Sequence, residues 1–418
     1  MSRWRIIGLA GGVAAVVVVL VLIFSGGDAS HAVPEGGSSF RTPTAAHRPT
    51  PGTGLLDALA PVLDQGQEPA PATSAAPAGT ETTPGVAPDK PSGGLPTTPA
   101  RAAARLFLVG FGGHDPGRPV LKRLGLHEWG GVVLEPGNGV SPQQVAGLVG
   151  SIRGAAQRAR HLAPLIAASQ LGGQLDAVPI GSPAQSQVPD ARTAQASALA
   201  AAKVLRTLGI RMVLAPAADI GVAGGPWAGL AYSDDPAAVS ALAGAAVAGF
   251  KQGQVAPAPG HFPGEGGASG DPVLEQATVG LSLDELRKAD LRPFTALAKH
   301  APAIQLSAAS FLAFDGVTPA TLLPEVVALL RDDLGFKGVV VSGDLQAASL
   351  GTGEPVTDLA VQAIKAGCDL VWIPGDATDQ DAAWRAVVRA LRTGEIPAAR
   401  AAEALRRVSL LRAQYGVR

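Results

Sequence analysis

Two hydrophobic patterns alternate along most of the chain. From Arg101 onward, short runs of β-prone apolar residues are followed by longer segments in which apolar residues recur with helical spacing. The short runs predict eight strands, at Leu106–Phe111, Gly131–Leu134, Leu165–Ala168, Met212–Ala215, Val255–Ala258, Ile304–Leu306, Gly338–Val341 and Leu370–Ile373. The longer segments predict helices at Pro142–Arg158, Ala191–Leu208, Pro236–Lys251, Leu283–Lys299, Ala320–Leu334, Val356–Ala366, Ala382–Thr393 and Ala398–Tyr415.

Strict strand–helix alternation predicts an α/β fold with a parallel sheet. Eight such units within about 320 residues favour a closed (β/α)8 TIM barrel, with an open parallel sheet as the alternative. No dinucleotide-binding GxGxxG follows the first strand, so no nucleotide cofactor, and indeed no cofactor of any kind, is predicted. In a barrel the chemistry lies at the carboxyl ends of the strands, and the candidate residues are sought there.

The N-terminal hundred residues follow a different pattern. Ile6–Phe24 is apolar over roughly the length that spans a bilayer, and the basic residues Arg3 and Arg5 precede it. This predicts a single-pass transmembrane anchor within residues 1–25, a cytoplasmic N-terminus and an extracytoplasmic body; a signal peptide cleaved near residues 30–32 is the alternative. Residues 26–100, rich in Pro, Gly, Ala and Thr, are predicted to be a disordered linker, and 101–418 the barrel.

Charge and cysteine content narrow the possible partners. The formal net charge is −1, which argues against nucleic acid as a partner. Cys368 is the single cysteine of the chain, so no internal disulfide forms, and its apolar surroundings predict a buried core thiol.

Two strand ends carry specific motifs. Gly260–Gly266 reads GHFPGEG and is followed by Asp271, Pro272 and Val273, whereas the segment Gly335–Leu345 reads GFKGVVVSGDL. Together they resemble family 3 glycoside hydrolases of the bacterial β-N-acetylhexosaminidase branch, whose typical motifs are KHFPGHG, then D-S-H, then LGF-x-GVV-x-[ST]-D. The resemblance extends from about residue 105 to the end. It implies a TIM barrel that acts on N-acetylglucosamine in cell-wall material by a retaining mechanism.

The catalytic positions depart from the family pattern. The resemblance places the nucleophilic aspartate at Gly343, which has no side chain, and the acid/base histidine at Val273, which cannot donate a proton. Asp271 matches the aspartate that orients this histidine. No intact catalytic residue is therefore predicted.

Positions that hold the substrate have changed as well. The family's DQEGGR segment reads from Ser169 to Gln174, the lysine of KHFPGHG is Gly260, and its second histidine is Glu265. His261 alone is retained from this polar set. These four vestigial pocket positions, Ser169, Gln174, Gly260 and His261, predict weak sugar binding.

Relocated chemistry remains an alternative. Asp344 lies beside Gly343, but a one-residue step along a strand reverses the side-chain direction, which favours strand-end hydrogen bonding over a nucleophilic role. Glu265 and His261 are the candidates for a new acid/base pair, with Asp271 as the nearest further carboxylate.

A metal site is not predicted. His114, Asp115 and Glu135 follow the first two strands and lie on the same face as His261, but their spacing matches no dedicated ligand motif. Solvated loop polarity is the favoured explanation. Trp227 is a candidate for stacking on a sugar ring or for packing at the rim.

Two functions from different classes follow. The favoured hypothesis is a catalytically degenerate, membrane-anchored barrel that acts as a cell-envelope binding or scaffold module towards a cell-wall glycan or an envelope protein. The alternative is an active β-N-acetylhexosaminidase-type hydrolase with relocated catalytic residues.

Overall fold

Eight parallel strands form the centre of the molecule. The structure is a computed structural model that describes residues 98–115 and 117–417. The strands are β1 Phe107–Val109, β2 Gly131–Leu134, β3 Leu165–Ser169, β4 Met212–Leu214, β5 Ala256–Pro257, β7 Ala303–Gln305, β9 Val339–Asp344 and β10 Leu370–Ile373. Their order in the sheet is β5-β4-β3-β2-β1-β10-β9-β7. Each of the eight predicted strands overlaps one of them.

The sheet curls round so that β5 and β7 meet through the residues that follow β5. Gln305 N donates to Pro259 O at 3.0 Å, Phe262 N donates to Gln305 O at 2.9 Å, and Ser307 N donates to Phe262 O at 2.8 Å. The eight parallel strands thus form a barrel, which is closed between β5 and β7 by a short seam made of the residues that follow β5. This confirms the predicted barrel over the open sheet. A separate pair of short parallel strands, β6 Thr278–Val279 and β8 Ser310–Phe311, lies outside it and was not predicted.

The helices are more numerous than the sequence pattern predicts. They run as α1 Pro99–Arg105, α2 Gly117–Leu126, α3 Pro142–Arg158, α4 Ala191–Thr207, α5 Pro236–Gln252, α6 Leu283–Lys288, α7 Leu291–Leu297, α8 Pro324–Ala328, α9 Leu345–Thr352, α10 Val356–Ala366, α11 Ala377–Thr393 and α12 Ala398–Gln414. The predicted helices that match α3, α4, α5, α10 and α12 agree with these bounds within one residue at each end.

Two predicted helices are wrong as single elements. Leu283–Lys299 divides into α6 and α7, because Pro293 has no N–H to donate to Ala289 O and the chain turns there. Ala320–Leu334 divides into a 3₁₀ turn, α8 and a π-helical turn at Leu329–Asp333, and Pro324 sets the start of α8.

Alternation along the strands separates the barrel interior from the layer beneath the helices. Leu165 and Ala167 of β3 and Val339 and Val341 of β9 pack in the interior. Helix α12 closes the amino-terminal end of the barrel: Val408, Leu411 and Tyr415 pack into the same interior cluster. Arg412 fastens this cap by donating to Gly130 O at 3.1 Å and to Ala163 O at 2.6 Å, just before β2 and β3. A functional site is therefore expected at the opposite end of the barrel, where the carboxyl ends of the strands lie.

The predicted membrane span could not be compared with the structure. Ile6–Phe24 and the predicted linker up to residue 97 lie outside the described residues. Within 98–115 and 117–417, none of the helices has both the length and the apolar character needed to cross a bilayer. Cys368 is buried, as predicted.

A buried carboxylate ties the end of the chain to the barrel. Asp369, which is completely buried, accepts hydrogen bonds from Arg331 at 2.7 Å, from Arg407 at 3.2 Å and from Arg400. Val340 N of β9 donates to it at 3.0 Å. Two cations of α12 and one from the π-helical turn at Leu329–Asp333 thus share one anion, and removing its charge takes away the partner that they have in common.

We expect Asp369→Asn to lower the free energy of unfolding by about 3 kcal/mol or more, because a buried ion network loses its common partner. Urea denaturation of the full-length chain measures the change. Glu395→Gln is the control, since Glu395 pairs with Lys365 at 3.3 Å on the surface and should change stability by less than about 1 kcal/mol. Equal changes in the two variants would show that the Asp369 network contributes nothing specific.

Candidate functional site

The carboxyl ends of the strands bring together most of the candidate residues. The loop after β5, Gly260–Glu265, lies across this end, and all its residues except His261 are buried. Its peptide bonds Gly260–His261 and Phe262–Pro263 are cis. The loop pairs with the loop after β4 on one side, through Ala217 and Gly260, and with the end of β7 on the other.

One carboxylate from the loop after β4 holds this segment. Asp219 is buried, and its side chain accepts from His261 N at 3.1 Å, from Glu265 N at 2.9 Å and from His261 Nδ1 at 2.9 Å. The sequence analysis did not select Asp219. Its only sequence signal was an acidic residue after β4, within an otherwise apolar run.

Glu265 completes a three-residue cluster. Its Oε1 lies 3.3 Å from His261 Nδ1 and accepts from Trp227 Nε1 at 3.2 Å, while its Oε2 accepts from Ser307 Oγ at 2.6 Å. The ring of Trp227 stacks on His261, with 5.3 Å between centroids. Trp227 is thus occupied with packing and hydrogen bonding inside the cluster.

The cluster shifts the ionisation of its members. Burial by itself lowers the pKa of His261, but the carboxylates of Glu265 and Asp219 outweigh it and raise the pKa to about 9. Burial raises the pKa of Glu265, which the imidazole of His261 only partly offsets. At neutral pH His261 is therefore a cation held between two acids, a state in which it has no free nitrogen to act as a base.

The nucleophile position is closed by backbone. A Cβ built on Gly343 would lie 2.9 Å from Ala308 N and 3.0 Å from the carbonyl carbon of Ser307, at the end of β7. Gly343 N also donates to Thr321 Oγ1 at 3.0 Å. The side chain that the family resemblance expects here has no room unless the end of β7 moves.

Asp344 is engaged at the start of the next helix. Its Oδ1 accepts from Gln346 N at 2.7 Å and from Ala347 N at 3.1 Å, which makes Asp344 the N-cap of α9. Burial raises the pKa of Asp344 to about 6, although these two amides counteract it. In the sheet Asp344 is paired in register with Trp372 of β10.

The charge of Asp344 acts on a second carboxyl group, that of Glu135. Glu135 follows β2, and burial together with the charge of Asp344 raises its pKa to about 7. The sequence analysis placed Glu135 on this face but assigned it no role. Burial thus raises the pKa of both carboxyls towards neutrality.

The loop that carries Val273, where the family resemblance places the acid/base histidine, is open to solvent. Val273 is 57% exposed, and its N–H donates to Asp271 Oδ1 at 2.9 Å. Asp271 is therefore used in a local turn, and the position next to it presents an apolar side chain to water.

The remaining predicted pocket positions are dispersed. Ser169 ends β3, Gln174 is exposed in a short 3₁₀ turn, and Gly260 is buried with Gln305 side-chain atoms 3.3 Å from where its Cβ would lie. His114 and Asp115 lie in an exposed loop. In the described part of the chain, the three-residue group with metal-ligand geometry is Asp219, His261 and Glu265, a set that the sequence analysis did not assemble.

Comparisons with known proteins agree with this architecture. The family model for the glycosyl hydrolase family 3 N-terminal domain matches residues 113–411. A beta-hexosaminidase of Stenotrophomonas maltophilia is 33% identical over 258 residues, which cover 58% of this chain and 75% of that protein.

Solved structures are similar over three quarters of the chain. A family 3 β-N-acetylglucosaminidase from Paenibacillus sp. superposes with a TM-score of 0.71 at 30% identity, covering 76% of this chain and 62% of that one. A β-N-acetylhexosaminidase from Beutenbergia cavernae gives a TM-score of 0.69 at 27% identity, covering 77% and 99%. The chain thus spans less than two thirds of the Paenibacillus protein. The barrel, the strand-end motifs and these matches together show that the chain belongs to glycosyl hydrolase family 3.

Proposed function

We propose that this chain is a catalytically silent member of the family that acts as a cell-envelope binding or scaffold module, held outside the membrane by its predicted N-terminal span. One observation carries the proposal above all others. The nucleophile position is Gly343, and the backbone of Ser307 and Ala308 lies where a side chain at that position would begin. A retaining mechanism needs a carboxylate there to form the glycosyl-enzyme.

The surroundings of the missing nucleophile support the same proposal. The acid/base position is the exposed Val273, whose side chain cannot protonate a leaving oxygen. His261, the retained polar residue of the family motif, is held between Asp219 and Glu265. Three separate strand ends thus lack the free catalytic groups that the family reaction needs, while the barrel that carries them is intact.

The names of the relatives and the residues that remain in the pocket suggest two classes of ligand. Relatives of this chain are named for hexosaminides, which makes an N-acetylhexosamine-containing cell-wall glycan one candidate ligand. Gly260 and the exposed Gln174 provide few fixed polar groups for sugar hydroxyls, so an envelope protein is an equal candidate.

A second candidate function rests on the carboxyl pair at the barrel mouth. Glu135, with a pKa of about 7, could donate a proton while Asp344, with a pKa of about 6, serves as the base. In a relocated hydrolase these two carboxyls would take the roles of the lost aspartate and histidine. Asp344, however, already caps α9, which opposes its use as a nucleophile.

A hydrolysis assay separates the two candidates. We expect the full-length protein to release no chromophore from a p-nitrophenyl N-acetyl-β-glucosaminide above the buffer rate, because no nucleophile faces the substrate. We also expect the Gly343→Asp/Val273→His double variant to stay silent, since the new aspartate cannot be placed. An active β-hexosaminidase run alongside establishes the sensitivity.

Turnover by the native chain would contradict the proposal, and point variants would then locate the chemistry. Loss of that turnover in Glu135→Gln would assign it to the carboxyl pair. Loss in Glu265→Gln or Asp271→Asn would assign it to the loop after β5. Activity gained by the double variant would show that the pocket is otherwise competent.

The closed backbone at Gly343 also predicts an effect on stability. Gly343→Ala should lower the free energy of unfolding by about 1–3 kcal/mol, because the added methyl group overpacks the end of β7. Gly147→Ala is the matched control: Gly147 is an exposed helical glycine with no atom within 4 Å of its added Cβ, so the change should raise stability by about 0.5–1 kcal/mol. Urea denaturation measures both, and a neutral Gly343→Ala would remove the steric argument.

The raised pKa of Glu135 predicts that the stability of the fold depends on pH. Because the folded-state pKa of Glu135 is about 7 and its ordinary value is 4.5, its contribution to stability is present below about pH 4.5 and is lost as the pH rises through 7. Glu135→Gln should therefore be more stable than the native chain by about 3 kcal/mol at pH 8 and gain little at pH 4.5. Urea midpoints at both pH values measure this, with Glu395→Gln as the surface control. Parallel pH profiles for Glu135→Gln and the native chain would show that Glu135 is not buried beside Asp344.

A further inference from the structure

We propose that Asp219, His261 and Glu265 form a divalent-metal site of zinc type at the carboxyl end of the barrel. The ligand atoms are His261 Nδ1, a carboxylate oxygen of Asp219 and Oε1 of Glu265, which all lie within 4.8 Å of one another. This site does not depend on whether the chain hydrolyses glycosides.

The distances within the cluster suit a tetrahedral ion. His261 Nδ1 lies 2.9 Å from Asp219 Oδ2 and 3.3 Å from Glu265 Oε1. Zinc bound to nitrogen and oxygen at about 2.0–2.1 Å places its ligand atoms about 3.3 Å apart in a tetrahedron. The ligand atoms of Asp219 and Glu265 also lie within 4.8 Å of each other, so rotation of these side chains would bring all three ligands onto one ion, which takes the place of the Nδ1 proton. Three protein ligands leave the fourth position to solvent or to a ligand.

The ligand oxygens are oriented by an outer set of hydrogen bonds. Ser307 Oγ fixes the second oxygen of Glu265, and Trp227 Nε1 contacts the first. Glu265 N fixes Asp219 Oδ1, which leaves Asp219 Oδ2 directed at the imidazole. Metal sites in proteins use such outer contacts to hold their carboxylate and imidazole ligands in place.

Charge within the cluster favours a dication. Two buried carboxyl groups face one imidazole. A dication with neutral His261 balances both carboxylates. The neighbouring Asp290 is buried as well, and its Oδ1 has no hydrogen-bond partner among the described residues.

The site depends on a feature of this chain. Glu265 stands where the family motif has its second histidine, and this exchange supplies the second carboxylate oxygen. The mixture of one imidazole nitrogen with two carboxylates selects zinc or a similar transition ion over magnesium and calcium, which prefer oxygen ligands alone.

Metal titration of the full-length protein tests the proposal. After treatment with a chelator, we expect one equivalent of Zn²⁺ to bind in a calorimetric titration. We expect Co²⁺, used as a spectroscopic substitute, to give the intense visible absorption of a tetrahedral site. The fluorescence of Trp227, which stacks on His261, should change with the same stoichiometry.

Variants separate this site from adventitious metal binding. Glu265→Gln keeps the shape and an acceptor for Ser307 but removes a ligand charge, and it should abolish the stoichiometric step. Ser307→Ala removes an outer contact only and should weaken the affinity by about 10-fold or more. Glu135→Gln and His114→Ala change other polar groups of the same face and should leave the affinity unchanged. Far-UV circular dichroism establishes that each variant is folded.

Three results would each overturn the proposal of a metal site. Absence of stoichiometric Zn²⁺ binding by the native chain, weak octahedral Co²⁺ absorption, or full affinity in Glu265→Gln would each remove the site. Because the readout is metal affinity and absorption, the hydrolysis assay can fail or succeed without affecting this test.

Discussion

The carboxylate of Asp219 holds together the loop on which the barrel seam and the candidate site both depend. It accepts hydrogen bonds from the backbone of His261 and Glu265 and from the imidazole of His261. Phe262, between them, donates to Gln305 and closes the sheet between β5 and β7. A buried anion with three donors is stable because each donor compensates part of its lost hydration. Without this anion, the amides it satisfies would be buried and unpaired, and the barrel seam would lose its anchor.

The loss of catalytic groups and the shape of the pocket are linked through the same seam. Where a nucleophilic carboxylate would face the substrate, Gly343 allows the end of β7 to approach to within contact of β9. Ser307, in that end, then reaches Glu265 and draws the loop after β5 into a buried network. Asp219, His261, Glu265 and Ser307 thus bind one another at the barrel mouth, whereas the pKa of Glu135 is raised by burial and by the charge of Asp344.

Much of the architecture could be predicted from the chain alone, because local patterns are strong where each strand is buried on both faces. Gly131–Leu134 and Leu370–Ile373 have the predicted bounds. The predicted helices failed where a proline interrupts an otherwise periodic segment, as at Pro293. The prediction of site residues failed for a different reason. Asp219 and Ser307 are ordinary polar residues in sequence, and their importance comes from partners 42 positions away in each case, His261 for Asp219 and Glu265 for Ser307.

The sequence by itself determined the barrel, its family and the absence of side chains suited to the family reaction at positions 273 and 343, since each of these is a matter of local pattern or residue identity. Only the tertiary structure decided which polar side chains meet at the carboxyl end of the barrel. Which acid faces which depends on the curvature that brings separate strand ends to one mouth, and their pKa values depend on burial that no local pattern encodes. For that reason the Asp219–His261–Glu265 cluster and the pairing of Glu135 with Asp344 became visible only in the folded chain.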